Sequence, residues 1–189
     1  MEAQHRRSLY AGAVHCIRAL ILIKCGRSFT LHTEEPEIPC IMMTAVYTGV
    51  IVFKSDLSFP ERMEEKDWYQ VDVLTCAAPN LRNAPSNFMN PCAGDEPADI
   101  AEDALYKLHL KRIEKLFRVA AANKAEVLIL GAFGCGAFCN PPEIVAKAFR
   151  EVQKKYESYF EVIEYAIFCA GYETKNYKAF SKAFGVEKE

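Results

Sequence analysis

No apolar run in this 189-residue sequence approaches the roughly 20 residues that a membrane-spanning helix requires. The run Ala19 to Ile23 is bounded by Arg18 and Lys24 and is far too short to cross a bilayer. Charge of one sign is also missing. The 23 basic residues against 25 acidic ones leave a net charge of −2 and a pI near 6.1, which excludes a chain that wraps nucleic acid but leaves room for a local basic cleft. Histidine is scarce: His5, His15, His32 and His109 lie too far apart for a local ligand cluster, and Cys135 and Cys139 have no histidine pair beside them. No metal and no cofactor is therefore expected. The eight cysteines are scattered, and a chain of this length does not need disulfide staples, so they are expected to be reduced and mostly buried. The N-terminal residues show no clean cleavage site for secretion, and a cytoplasmic location is the expectation. There is no internal repeat and no low-complexity tract.

What is present is a globular composition, 51% hydrophobic and 25% charged, of single-domain size. Spacing of Leu9, Ala13, Ile17 and Leu20 predicts a helix from Ser8 to Lys24. The short apolar runs Cys40–Val46 and Val50–Phe53, parted by Tyr47-Thr48-Gly49, suggest two strands or a strand and a bend, and a polar loop follows from Ser58 to Lys66. Val71 to Ala78 is nearly all apolar, as an interior strand covered on both faces should be. Asp72 within it is expected to bond to backbone or a neighbouring loop rather than to act in catalysis. Asn83 to Pro97 reads as a loop. An apolar stripe of Ile100, Leu105, Leu108, Ile113, Leu116, Phe117 and Ala120 predicts a long helix over Ala98–Asn123. Then follow a strand Val127–Leu130, a helix Glu143–Tyr156, a strand Val162–Cys169 and a helix from Asn176 to Phe184. This alternation predicts an α/β fold, a three-layer α/β/α sandwich with right-handed crossovers.

The most informative stretch is Val127 to Pro142, where a strand empties into three glycines within six residues, Gly131, Gly134 and Gly136, before a helix opens. Glycine lets backbone amides approach an anion closely, and the helix adds unpaired N–H groups and partial positive charge. Phe133 and Phe138 are candidates for stacking on a sugar or base. An ordinary strand-to-helix turn would show the same glycines. Ligands of open α/β sheets lie beyond the carboxyl ends of strands, so Cys76–Asn80 and Gly131–Asn140 are expected to border one crevice.

The core Leu130–Asn140, together with Ala77-Ala78-Pro79-Asn80 and the closing Tyr165–Cys169 and Thr174–Tyr177, resembles the microbial-type poly(ADP-ribose) glycohydrolases, a branch of the macrodomains. The resemblance covers residues 47–185 and implies a macrodomain-like α/β/α sandwich with a mixed sheet. It implies a pocket for ADP-ribose or an ADP-ribosylated protein in which the amides of Gly134, Cys135, Gly136, Ala137 and Phe138 hold the diphosphate. Phe138 would orient the distal ribose, with Gly131, Phe133 and Asn140 in the same loop and Ala78, Pro79 and Asn80 on the cleft wall. The family's Gly-Gly-Gly and Gln-Glu-Glu segments, the latter holding the glutamate that protonates the departing ribosyl oxygen, do not occur in this sequence. Arg7-Ser8-Leu9-Tyr10 is similar to the segment just after that glutamate, so residues 1–46 are expected to be a divergent or truncated part of the domain and 47–189 its ADP-ribose-binding core. Glu2 falls beside the catalytic position and is the local candidate for the acid. Three readings stay open: a glycohydrolase using Glu2 or another acid, an ADP-ribose-binding module that does not cleave, and a truncated domain acting through protein association, for which an oligomer is possible.

Overall fold

A computed structural model describes residues 19–23, 44–56, 59–86, 96–172 and 174–186, with residues 19–23 described as backbone. Its strands are β1 (Ala19–Ile23), β2 (Thr44–Val52), β3 (Tyr69–Cys76), β4 (Val127–Leu130) and β5 (Val162–Tyr165). Its α-helices are α1 (Glu102–Ala122), α2 (Pro142–Tyr156) and α3 (Lys175–Phe184). The sheet order is β2-β3-β1-β4-β5, with β2 antiparallel to β3 and every other pair parallel. This is the expected mixed sheet of an α/β fold.

Alternation along the strands sends side chains to two buried faces, which is why β3 and β4 read as nearly unbroken apolar runs. Leu74, Cys76, Leu128 and Leu130 face the helices and join Ile113, Leu116 and Phe117 of α1, Val145, Ala148 and Phe149 of α2 and Phe180 of α3 in one core. Val71, Val73 and Val127 form a second buried cluster on the opposite face. Of the α/β/α arrangement, the described residues thus contain the sheet and one helical layer. Aromatic edges knit that layer: Phe149 meets Tyr165 at 5.5 Å in a T-shaped pair, and Tyr165 lies 4.5 Å from Phe184.

Several boundaries differ from the sequence reading. The helix expected over Ser8–Lys24 is, at Ala19–Ile23, the strand β1 inserted between β3 and β4; its other residues lie outside the described ones. Two parallel partners at the sheet's centre outweigh a three- and four-residue spacing that any short apolar segment can show. The two runs around Tyr47-Thr48-Gly49 form one strand with an irregularity between Tyr47 and Val50. Gly49 takes φ +68° there and donates its N–H to Asp72 Oδ1 at 3.0 Å, which is the structural role expected of Asp72. The long helix starts at Glu102, and β5 ends at Tyr165 rather than Cys169 because the chain turns away, Ile167 N–H bonding to Tyr165 O. The Ser58–Lys66 segment, described from Phe59, is more ordered than a plain loop: Trp68 Nε1–H donates to Met63 O and Arg62 lies 5.2 Å from the Trp68 ring. Four cysteines fall among the described residues, all reduced; Cys76 is buried but Cys139 and Cys169 are exposed, so the expectation of mostly buried thiols does not hold for them. Surface loops, rather than apolar strands, carry those two. Burial pushes the Cys76 thiol up, against a hydrogen bond from Thr44, and keeps it protonated.

Candidate functional site

The glycine loop is tied shut from within. Cys135 N–H donates to Ala132 O at 3.1 Å, Cys139 N–H to Gly136 O at 2.9 Å and Asn140 N–H to Gly134 O at 3.1 Å. Gly134 sits at φ +76°, where a Cβ would stand 2.5 Å from Asn140 Nδ2 and 2.7 Å from the Ala78 methyl. Only glycine satisfies both the angle and the space. Cys139 accepts φ +57° without being glycine, so the loop carries local backbone strain. Gly131 and Gly136 differ from Gly134: a Cβ on either would meet nothing within 4 Å.

The two segments expected to border one crevice lie side by side. Leu81 N–H donates to Phe138 O at 3.0 Å, joining the segment after β3 to the segment after β4. Asn140, 2% exposed, closes the junction from beneath. Its Nδ2 lies 2.8 Å from Pro79 O, 3.0 Å from Gly134 O and 3.2 Å from Phe138 O, and its Oδ1 is 2.9 Å from His109 Nε2. Because Oδ1 is an acceptor, His109 carries its proton on Nε2, while the fully buried Nδ1 has no partner. Three residues further along α1, the buried Arg112 donates from a guanidinium N–H to Ala77 O at 2.9 Å. One helix therefore props both walls.

Residues 136, 137 and 139 are exposed, and Gly136 and Ala137 N–H donate to no group among the described residues. The amide of Cys135, by contrast, is committed to Ala132. Phe133 is 6% exposed and packs edge-on to His109 at 6.1 Å, so its ring belongs to the core and is not available for stacking. Phe138 is half-buried, with the Arg82 guanidinium 5.5 Å from its ring. Arg82 is held by Asn80 Oδ1 at 3.1 Å and Pro85 O at 2.9 Å, and Asn80 Nδ2 donates to Pro85 O. Ala78 and Pro79 are buried behind this wall while Asn80 is partly exposed. At the start of α2, Pro141 and Pro142 bring fixed φ but no N–H, so the helix offers fewer donors than an ordinary N-terminus. Glu2 lies outside the described residues. Among the described residues no cluster suited to a metal occurs, and no helix is long and apolar enough to cross a membrane.

Sequence reasoning missed His109, Arg112 and Arg82 as parts of the site. The first two were visible as spacing: Leu105, His109, Arg112, Leu116 and Ala120 fall on one buried helical stripe. Arg82 had no such signal.

Burial pushes the His109 imidazole down to about 4, opposed by its bond to Asn140 and assisted by Arg112. Unfolding restores an ordinary value of about 6.5. The folded value is the lower one, so the unfolded chain binds the extra proton first, and stability present above the unfolded value is lost as pH falls from about 6.5 towards 4. At about 1.4 kcal/mol per pH unit the loss reaches roughly 3 kcal/mol. Denaturant titrations at pH 7 and pH 4.5 should show it, and His109→Gln, which keeps a donor for Asn140, should flatten that part of the profile.

No protein-family model matches the sequence, and a search of curated proteins likewise finds no match. Solved structures do match. Poly(ADP-ribose) glycohydrolase from Deinococcus radiodurans in complex with ADP-ribose superposes with a TM-score of 0.58 at 23% identity, over 75% of this chain and 52% of that one. The enzyme from Thermomonospora curvata gives 0.59 at 25% identity, over 75% and 47%, and a mutant of it gives 0.58 at 26%, over 75% and 48%. The chain spans about half the length of these structures and has the fold of the microbial-type glycohydrolases they represent.

Proposed function

Since the chain has the fold of bacterial poly(ADP-ribose) glycohydrolases, we propose that its closed glycine loop is a diphosphate-binding loop of macrodomain type that recognises ADP-ribose, free or attached to protein. The observation that carries this reading is the pair of amides at the exposed residues Gly136 and Ala137 that donate to no group among the described residues, in a loop fixed on both sides by Asn140. Such amides hold an anion without a dedicated lysine, as an acidic protein requires. Their number is smaller than the sequence suggested, because Cys135 spends its N–H within the loop. Arg82 supplies the charge that the loop lacks, packed on the Phe138 ring that in this reading orients the distal ribose.

Cleavage of the ribose–ribose O-glycosidic bond needs a carboxylic acid within hydrogen-bond reach of the leaving oxygen. Glu2 is the proposed acid. Non-cleaving recognition is the second reading, favoured by the side chains described at the junction of the two loops: Asn80, Arg82, Phe138 and Cys139, among the described residues, include no acid. Release of ADP-ribose from modified protein, with Glu2→Gln as the control, separates the two.

Gly136→Val tests the loop. A Cβ there meets nothing within 4 Å among the described residues, so thermal stability should stay within a degree or so, while ADP-ribose affinity by calorimetry should fall about a hundredfold through blocked access to the amides. Undiminished affinity in that variant would move the nucleotide away from this loop.

A further inference from the structure

Away from the crevice, towards the C-terminal end of α1, lies an open groove of about 580 Å³. Lys111, Lys115 and Arg118 line it, with Glu114, Tyr156 and Tyr159. The three cations follow one another at four and three residues, hence on one face of α1, distinct from the buried face that presents His109 and Arg112. Glu114, the one acid among these six, is already engaged: Lys155 stands 3.9 Å away and the Tyr156 hydroxyl donates to it at 3.5 Å. Among the described residues no carboxylate lies within ion-pair distance of Lys115 or Arg118. Tyr159 is 63% exposed and its ring centre is 5.9 Å from that of Tyr156.

This concentrates positive charge and exposed aromatic surface at one place on a chain whose net charge is −2. Cations beside open aromatic rings suit a ligand that alternates phosphates with flat rings or sugars. Arg118 is six residues beyond Arg112, which props the crevice wall, or about 9 Å further along the helix axis. We propose that the groove is a second anionic subsite that holds a further unit of an ADP-ribose polymer whose end occupies the crevice. The inference rests on the proposed function and extends its ligand from ADP-ribose to the polymer that a ribose–ribose bond implies; the groove's own charge selects its pyrophosphates.

Fluorescence anisotropy with ADP-ribose, with an ADP-ribose polymer of defined length and with oligothymidylate of matched length tests this. The polymer should bind at least tenfold more tightly than the monomer. At about 0.7 in log–log salt slope per phosphate contact, the two contacts from Lys115 and Arg118 should weaken polymer binding roughly sevenfold more than monomer binding between 50 and 200 mM salt. The triple variant Lys111→Ala/Lys115→Ala/Arg118→Ala should erase both differences and leave monomer affinity and melting temperature unchanged. Equal affinity and equal salt slope for polymer and monomer in the unmodified protein overturn the proposal, as does a triple variant that still prefers the polymer. Equal binding of oligothymidylate overturns it in favour of a nucleic-acid groove. Polymer binding that is lost in the triple variant, with no monomer binding at all, upholds the groove and defeats the crevice reading.

Discussion

Asn140→Ala is expected to cost about 4 kcal/mol of stability and to abolish ADP-ribose binding. The size follows from which partners are left stranded. Gly134 O and Phe138 O each keep a backbone donor, from Asn140 N–H and Leu81 N–H, and so survive the loss of the side chain. Pro79 O and the His109 Nε2 proton lose the side-chain partner that holds them, and a buried polar group left without one costs about 1–3 kcal/mol. The same change unhooks the Ala78–Asn80 wall from the glycine loop, since the Asn140 amide spans both. Denaturant unfolding gives the first number and calorimetry the second. A variant with native stability and native affinity would mean that the loop keeps its shape without its staple.

Gly134→Val should be at least as severe. Positive φ is disfavoured for any side chain by about 1–2 kcal/mol and most of all for a branched one. Overpacking against Asn140 and Ala78 adds about 1–3 kcal/mol, because both neighbours are buried and cannot retreat. A loss of about 4 kcal/mol is expected, with nucleotide affinity lost as the loop opens. Gly136→Val is the contrast: it should spare stability and remove affinity. Finding the two variants alike in a thermal melt would show that the loop does not have the shape described.

The order of strands and helices from β3 onward was legible because each has a strong local signature: unbroken apolar runs for β3 and β4, a long amphipathic stripe for α1, and a Pro-Pro opening for α2. β1 was not, because its five residues are a strand through their neighbours in the sheet and look helical by spacing alone. At the site, the glycines announced a close backbone approach, yet nothing local distinguished Gly134, which the fold requires, from Gly136, which only a ligand would require. That difference lies in Asn140 and Ala78, one of them distant in sequence. Asn140 itself was read as a ligand residue, whereas its side chain is spent on four protein groups. His109 and Arg112 stand in the sequence only as polar residues on an apolar stripe, and their partners exist only when the loops are placed above it.

Crystals of the protein soaked with ADP-ribose test the central claim most directly. The account predicts pyrophosphate oxygens within about 3 Å of the Gly136 and Ala137 nitrogens, with the adjoining ribose against Phe138 and the Asn140 contacts unchanged. Nucleotide density elsewhere, or an intact loop that stays empty at saturating ligand, would contradict it.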